Sequence, residues 1–351
     1  MVLLAIAQAS CDKMRIDEDL SDCEEQDVLF SMTYDLRVVT NITTELTTVL
    51  STVADAPIRA ALQAYLSPIF TDHANDVDLS FYNTEKPMER LHHVTDIMAA
   101  QQKSYSINLP ARRYFHNALA NLAGNNAISL VLDDYRHTAA LRQQTTTLVP
   151  NPTPGTYPDA VAPQTTGVFS ARLPMDVLAA TDQHFDVHLY MANCATALII
   201  DPRTCGVTDI RIYTTGFANS FTVADSLYSF TTPYYVLADR LPVTGSTQFC
   251  FCSVHYPSQD PASSRTIIET EDPFIAEDEK TTVWHYECYV TLTDGTITKT
   301  DLNIMKPLRP GQLKIIKGWL DNTGGVHTLD TAVGISVTLN WNSGGGYTPS
   351  L

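Results

Sequence analysis

The chain has 351 residues, 44% of them apolar, and 22 Lys and Arg stand against 39 Asp and Glu for a net charge of −17. That length holds two domains with cores of their own, and that apolar content excludes a chain disordered throughout. So acidic a surface repels phosphate, which excludes nucleic acid as a partner and a polybasic patch as a membrane anchor.

Met1 to Ser10 reads MVLLAIAQAS, in which eight of ten residues are apolar, and it ends in Ala9 and Ser10 before Cys11. An apolar stretch closed by small residues is the back half of a secretory signal. A Cys at that point resembles the lipidation site of a bacterial lipoprotein, so residues 1–11 are expected to be a signal remnant and Cys11 the lipidated residue. No Lys or Arg precedes Cys11, and Gln8 stands where such signals carry Leu. The alternative is a loose N-terminus that happens to contain a Cys. Residues 12–27 carry eight acidic residues in sixteen and are expected to form an acidic tether, since they have too little to bury to offset ordering entropy. Acidic residues after a lipidated Cys also resemble surface-export signals of outer-membrane lipoproteins. Beyond Ser10 no apolar run approaches the roughly 18–20 residues of a membrane span.

Strands follow one another from Val28. Val28, Phe30, Met32, Tyr34, Leu36 and Val38 alternate with polar partners, the period of a half-buried strand. Leu46, Val49, Leu50 and Val53, then Ile58, Leu62, Leu66 and Ile69, repeat at three and four. They predict one or two helices over about 42–67, with Asp55 as a cap and Pro57 tolerated in the first turn. Alternation returns at Val77–Phe81 and at Tyr105–Leu109, while 112–124 fits helix or strand. Pro150 to Pro163 holds five prolines and is expected to form no regular ladder. The domain boundary is placed there, giving an N-terminal β domain at 28–154 with the helical insertion and a C-terminal β domain at 155–341. In the second domain Phe185–Met191 and Trp284–Leu292 alternate. Asp294-Gly295 marks a hairpin returning through Ile304, and Leu313, Ile315 and Trp319 share a face. Val333, Ile335, Val337, Leu339 and Trp341 predict a last core strand, before a Gly-rich tail at 342–351.

Seven cysteines are present and no CxxC pair occurs. Cys250 and Cys252 share a strand face, and Cys194 and Cys205 flank the turn Asp201-Pro202-Arg203, across which a hairpin would bring them together. Disulfides are permitted in an exported chain, but small buried hydrophobes are the simpler expectation. No nucleophile elbow, phosphate-binding loop or zinc-protease motif appears. His92-His93 fit a solvated turn, and His184, Asp186 and His188 fit the solvent face of a strand rather than a ligand set. Glu269–Glu279 lacks the spacing of a calcium loop. No catalytic, cofactor-binding or metal residue is therefore assigned, and no cofactor.

The order of several segments resembles the fimbrillin-like superfamily, in particular accessory and anchor subunits of type V bacterial pili. They are Cys11 followed by a polar stretch with Cys23, then Phe30–Asp35, then MANCATALIID at Met191–Asp201. TTGFANSFTVADSLYSF at Thr214–Phe230 follows, then Leu308–Lys314 and the final VGISVTLNW. The resemblance implies an all-β fold of two β-sandwich, transthyretin-like domains in tandem and a noncatalytic role. It implies a lipid-anchored structural subunit of a surface filament, a fimbrium, active in cell adhesion. Its place would be the outer membrane, through lipidated Cys11, with other pilus subunits as partners. The chain departs from the family in its signal and in the helical insertion.

The mechanism implied is strand complementation, with backbone pairing at an open sheet edge and Val28–Val39 as the first candidate acceptor. NSGGGYTPSL is a poor donor strand, so the isolated body is expected to be monomeric and to act as an end subunit. The alternative is a surface lipoprotein that binds glycan or peptide through aromatics such as Tyr234 and Tyr235.

Overall fold

The computed structural model describes residues 29–38, 42–74, 76–84, 90–94, 104–122, 124–125, 128–131, 145–148, 157–179, 183–223, 226–231, 234–259, 283–304 and 306–328. Cys11, Cys23, the tether at 12–27, the acidic segment 269–279, the strand expected at 333–341 and the tail at 342–351 lie outside them.

The described elements begin with β1 (Leu29–Val38), then α1 (Ile42–Leu50) and α2 (Ala56–Leu66). β2 (Val77–Asn83), β3 (Arg90–Val94), β4 (Ser104–Pro110), β5 (Arg113–Ala120), β6 (Ile128–Val131), β7 (Thr145–Leu148) and β8 (Ala160–Val161) follow. Next come β9 (Phe169–Asp176), β10 (Gln183–Met191), β11 (Cys194–Asp201), β12 (Val207–Thr215), β13 (Ser220–Thr222), β14 (Leu227–Ser229), β15 (Tyr235–Leu237) and β16 (Asp239–Leu241). The last are β17 (Phe249–His255), β18 (Trp284–Leu292), β19 (Ile297–Ile304), β20 (Leu313–Leu320) and β21 (Val326–Thr328).

The helical insertion forms where the period places it. The Asp55 carboxylate accepts the Ile58 N–H at 3.1 Å, and Pro57 sits in the first turn, where its missing N–H is not needed. Segment 112–124 resolves to strand: β5 is buried along most of its length and pairs with β2 and β9. His92 and His93 lie on strand β3, not in a turn, because β3 pairs with β2. The proline-rich segment does contribute a ladder. Its proline-free stretch forms β8, parallel to β15 with Tyr235 opposite Ala160.

The described strands form four sheets, ordered β3-β2-β5-β9-β10-β1-β4, β16-β17-β11-β20-β21, β19-β18-β12-β15-β8 and β14-β13-β7-β6. β9 and β10 lie beyond the expected boundary near residue 155, yet they pair with β5 and β1 in the first sheet. β6 and β7 lie before that boundary, yet β7 pairs with β13 in the fourth sheet, so pairing runs across it in both directions. The turn at Asp201–Arg203 is not a hairpin: β11 belongs to the second sheet and β12 to the third. Cys194 and Cys205 are accordingly unbonded, as are Cys250, Cys252 and Cys288, and all but Cys205 are buried.

The helices form the middle of the largest core. Ile58, Leu62 and Leu66 pack with Leu79, Phe81, Val187 and Leu189 of the first sheet and with Ala195, Ala197, Ile199, Cys250, Cys252, Leu313 and Ile315 of the second. The opposite face of the second sheet, with Leu198, Ile200, Phe251 and Ile316, packs on Ile210, Ile212, Trp284, Tyr286 and Cys288 of the third. β11 is thus buried on both faces, which is why ALII runs apolar without alternation. The β18–β19 hairpin forms at Asp294-Gly295, with Gly295 at φ +88°.

Candidate functional site

The Leu308–Lys314 segment sets up β20, a strand inside its sheet whose first half has a described neighbour on one side. Gly311 N–H donates to Asn193 O at 2.7 Å, and Ala195 N–H donates to Gln312 O at 2.9 Å. These bonds launch β20 parallel to β11, in register from Ala195–Leu313 to Asp201–Trp319. On its other side β20 meets β21 only at Gly318, Trp319 and Leu320. Among the described residues, Leu313–Lys317 therefore have one strand neighbour instead of two. Leu313, Ile315 and Ile316 are buried there, so apolar packing flanks the side of β20 on which no described strand pairs. β1, the first candidate from sequence, is no such edge. It lies between β10, paired in parallel, and β4, paired antiparallel, so both of its ladders are occupied.

The outer face of the third sheet gathers tyrosines. Tyr213, fully buried, stacks with Tyr157 at 6.2 Å and meets Tyr289 and Tyr235 edge-on at 5.6 and 6.5 Å. The Arg211 guanidinium lies 4.3 Å from the Tyr157 ring centroid. Glu287 accepts from Tyr289 Oη at 2.8 Å and Tyr235 Oη at 3.1 Å and pairs with Lys299 Nζ at 3.1 Å. Burial opposes its charge, but these donors hold its carboxyl below the usual range. The rings pack on one another and the Tyr235 and Tyr289 hydroxyls donate to Glu287, so the cluster holds Tyr157 and the segment before β8. Tyr234 packs against a separate small core with Phe221 and Tyr228, so the Tyr234–Tyr235 pair is not one platform.

Between β11 and β17 of the second sheet lies a buried Cys–His contact that the sequence did not single out. Cys194 Sγ is 3.4 Å from His255 Nδ1, and Thr196 Oγ1 lies 2.8 Å from Ser253 Oγ and 3.4 Å from His255 Nε2. Burial pushes the Cys194 thiol up and drives the His255 imidazole down to about 3. Both groups are neutral at pH 7, the opposite of the thiolate–imidazolium pair that makes a cysteine nucleophilic. The contact is core packing. His184 and Asp186 are half exposed on β10 with Nε2 and Oδ1 3.7 Å apart, and His188 is exposed beside them, a solvated strand face. No group of three or more metal-ligating side chains occurs among the described residues.

No protein-family model matches the chain, and no curated protein matches it in sequence. Among solved structures it is similar to a candidate adhesin from Bacteroides ovatus, at 9% identity and a TM-score of 0.50 over 90% of this chain and 99% of that one. It is similar at the same identity and score to a candidate polysaccharide-binding protein from Bacteroides thetaiotaomicron, over 85% of this chain and 98% of that one. The fimbrial anchor protein Mfa2 from Porphyromonas gingivalis aligns at 11% identity and a TM-score of 0.46, over 83% of this chain and 91% of that one. The likeness is one of fold: a mostly stranded architecture of several sheets.

Proposed function

We propose that this chain is a subunit of a bacterial surface filament that serves adhesion, an end subunit held in the outer membrane by lipid on Cys11. It joins its neighbour by strand pairing at β20. The half-open edge of β20 is the observation that supports this reading. Among the described residues Leu313–Lys317 meet a single neighbouring strand, with Leu313 and Ile315 buried on one face and Ile316 on the other. That combination offers main-chain bonds for affinity and side-chain pockets for register. The competing occupant of the edge is the chain's own segment beyond Thr328. The seven-stranded sheet belongs to the subunit's body, and the filament contact falls on the second sheet.

Two measurements on the full-length protein in its own cells test this. Wild type should partition with membranes and incorporate labelled fatty acid, and Cys11→Ala should do neither. A photocrosslinker at Lys317, the exposed residue of the open stretch, should capture a filament subunit and should do so equally after deletion of Asn342–Leu351. Equal labelling of Cys11→Ala refutes the anchor. Capture of nothing but the chain itself refutes the edge, and growth of the purified protein into long fibres refutes the end-subunit role.

A further inference from the structure

At the C-terminal ends of β11 and β20 the face that packs on the helices turns polar. Ile199 stands beside Lys317 and Asp201 beside Trp319 in the parallel register, and Trp319 faces His327 on β21. These positions share the face of Ala197 and Ile315, since alternate residues of a strand point the same way. A cleft of about 120 Å³ opens there, lined by Asp201, Arg203, Gln248, Lys317 and Trp319.

The turn after β11 shapes the cleft. Arg203 has φ +49°, in the left-handed region, and its N–H donates to the Asp201 carboxylate at 2.9 Å. The turn folds the side chain back, and the guanidinium carbon sits 4.3 Å from the Trp319 ring centroid. Trp319 is braced by the His327 ring, at 5.6 Å and 24°, and His327 is fixed by the Asp321 carboxylate, 2.7 Å from its Nε2. A guanidinium set over an aromatic ring can still turn its N–H groups toward a planar anion. Neither Arg203 nor Lys317 forms an ion pair among the described residues. Two uncommitted cations converging on one cleft stand out in a chain of net charge −17.

The geometry points to this cleft as a binding site for an acidic saccharide, a uronic or sialic residue. Arg203 and Lys317 receive the sugar carboxylate, and Gln248 and the remaining Asp201 oxygen receive its hydroxyls. A simple acidic peptide matches it less well, because a carboxylate ligand alone has no use for Asp201, which would repel it. A hydroxyl-bearing acid uses both the cations and the acceptor. The site shares β20 and Lys317 with the edge proposed above but needs no filament partner, so saccharide binding by the isolated chain is measured apart from the filament role.

Titration calorimetry on the full chain, with trigalacturonate and sialyllactose as probes, tests the proposal. At least one should bind, while maltotriose and lactose should not. Arg203→Gln and Lys317→Gln should each weaken binding about tenfold or more, with unchanged melting temperatures showing that the fold is intact. Raising salt from 50 to 300 mM should weaken wild type more than either variant, since each variant has lost a charge–charge contact. Absence of binding by both acidic probes overturns the proposal, as does equal affinity in wild type and both variants. Equal competition by acetate or a Glu-rich peptide also overturns it, because the cleft would then read a carboxylate and no sugar.

Discussion

Two buried neutral histidines should make this fold lose stability in mild acid. His116 is fully buried, stacked on Phe81 at 4.3 Å, with Nδ1 3.0 Å from Ser80 O. His255 is fully buried beside Cys194 and lies 3.6 Å from the Phe217 ring. Burial outweighs a backbone hydrogen bond at both and lowers each imidazole from 6.5 to about 3. Between those two values the unfolded chain binds one more proton per histidine than the folded one, so stability falls as pH falls through about 6.5. The slope is about 1.4 kcal/mol per pH unit per histidine. From pH 7.5 to 5 each therefore removes about 2 kcal/mol, and the pair about 4 kcal/mol, out of the roughly 5–15 kcal/mol typical of a folded domain. The depressed carboxyls of Glu287 and Asp321 contribute stability that is lost only as pH falls below the ordinary carboxylate range. Urea denaturation at pH 7.5, 6.5, 5.5 and 5.0 measures the effect, comparing wild type with His116→Gln and His255→Gln. Each variant should show about half the wild-type slope, whatever its absolute stability. A wild-type stability that stays flat from pH 7.5 to 5, or variants with the full slope, would refute the reasoning.

Burial and the nearby Lys306 charge lower the Lys314 ammonium from 10.5 to about 7. The unfolded chain then binds the extra proton between those values, so stability rises from pH 7 to 9, and Lys314→Met should flatten that rise in the same urea assay. Leu62, fully buried at the centre of the helical layer, should cost about 2–5 kcal/mol when changed to Ala, as read from the denaturation midpoint. A loss under about 1 kcal/mol would remove the helices from the core. Gly216 has φ +95°, and a Cβ there would lie 2.7 Å from Trp284 Cα. Gly216→Ala should destabilise by well over about 1 kcal/mol, and an unchanged melting curve would show that the β12–β18 ladder tolerates the clash.

The sequence by itself determined the elements whose causes are local. The period of three and four, Asp55 and Pro57 placed the helices at 42–67, and α1 and α2 fall at Ile42–Leu50 and Ala56–Leu66. Asp294-Gly295 fixed the β18–β19 hairpin because only a residue free to take positive φ turns that tightly. Alternation marked Trp284, Tyr286, Cys288 and Val290 as one buried face, which is the face they bury. Tertiary structure decided which strands meet. Alternation reports that a strand has a wet and a dry side and carries no address for its neighbour. β9 and β10 were therefore assigned beyond a boundary at 155 that their pairing with β5 and β1 crosses. β1 reads as an edge in sequence and is enclosed because β10 arrives from about 150 residues away. The cleft at Trp319 has no motif either: Asp201, Arg203, Gln248 and Lys317 meet only because β11 and β20 run parallel, and parallel pairing brings together residues that no short spacing connects.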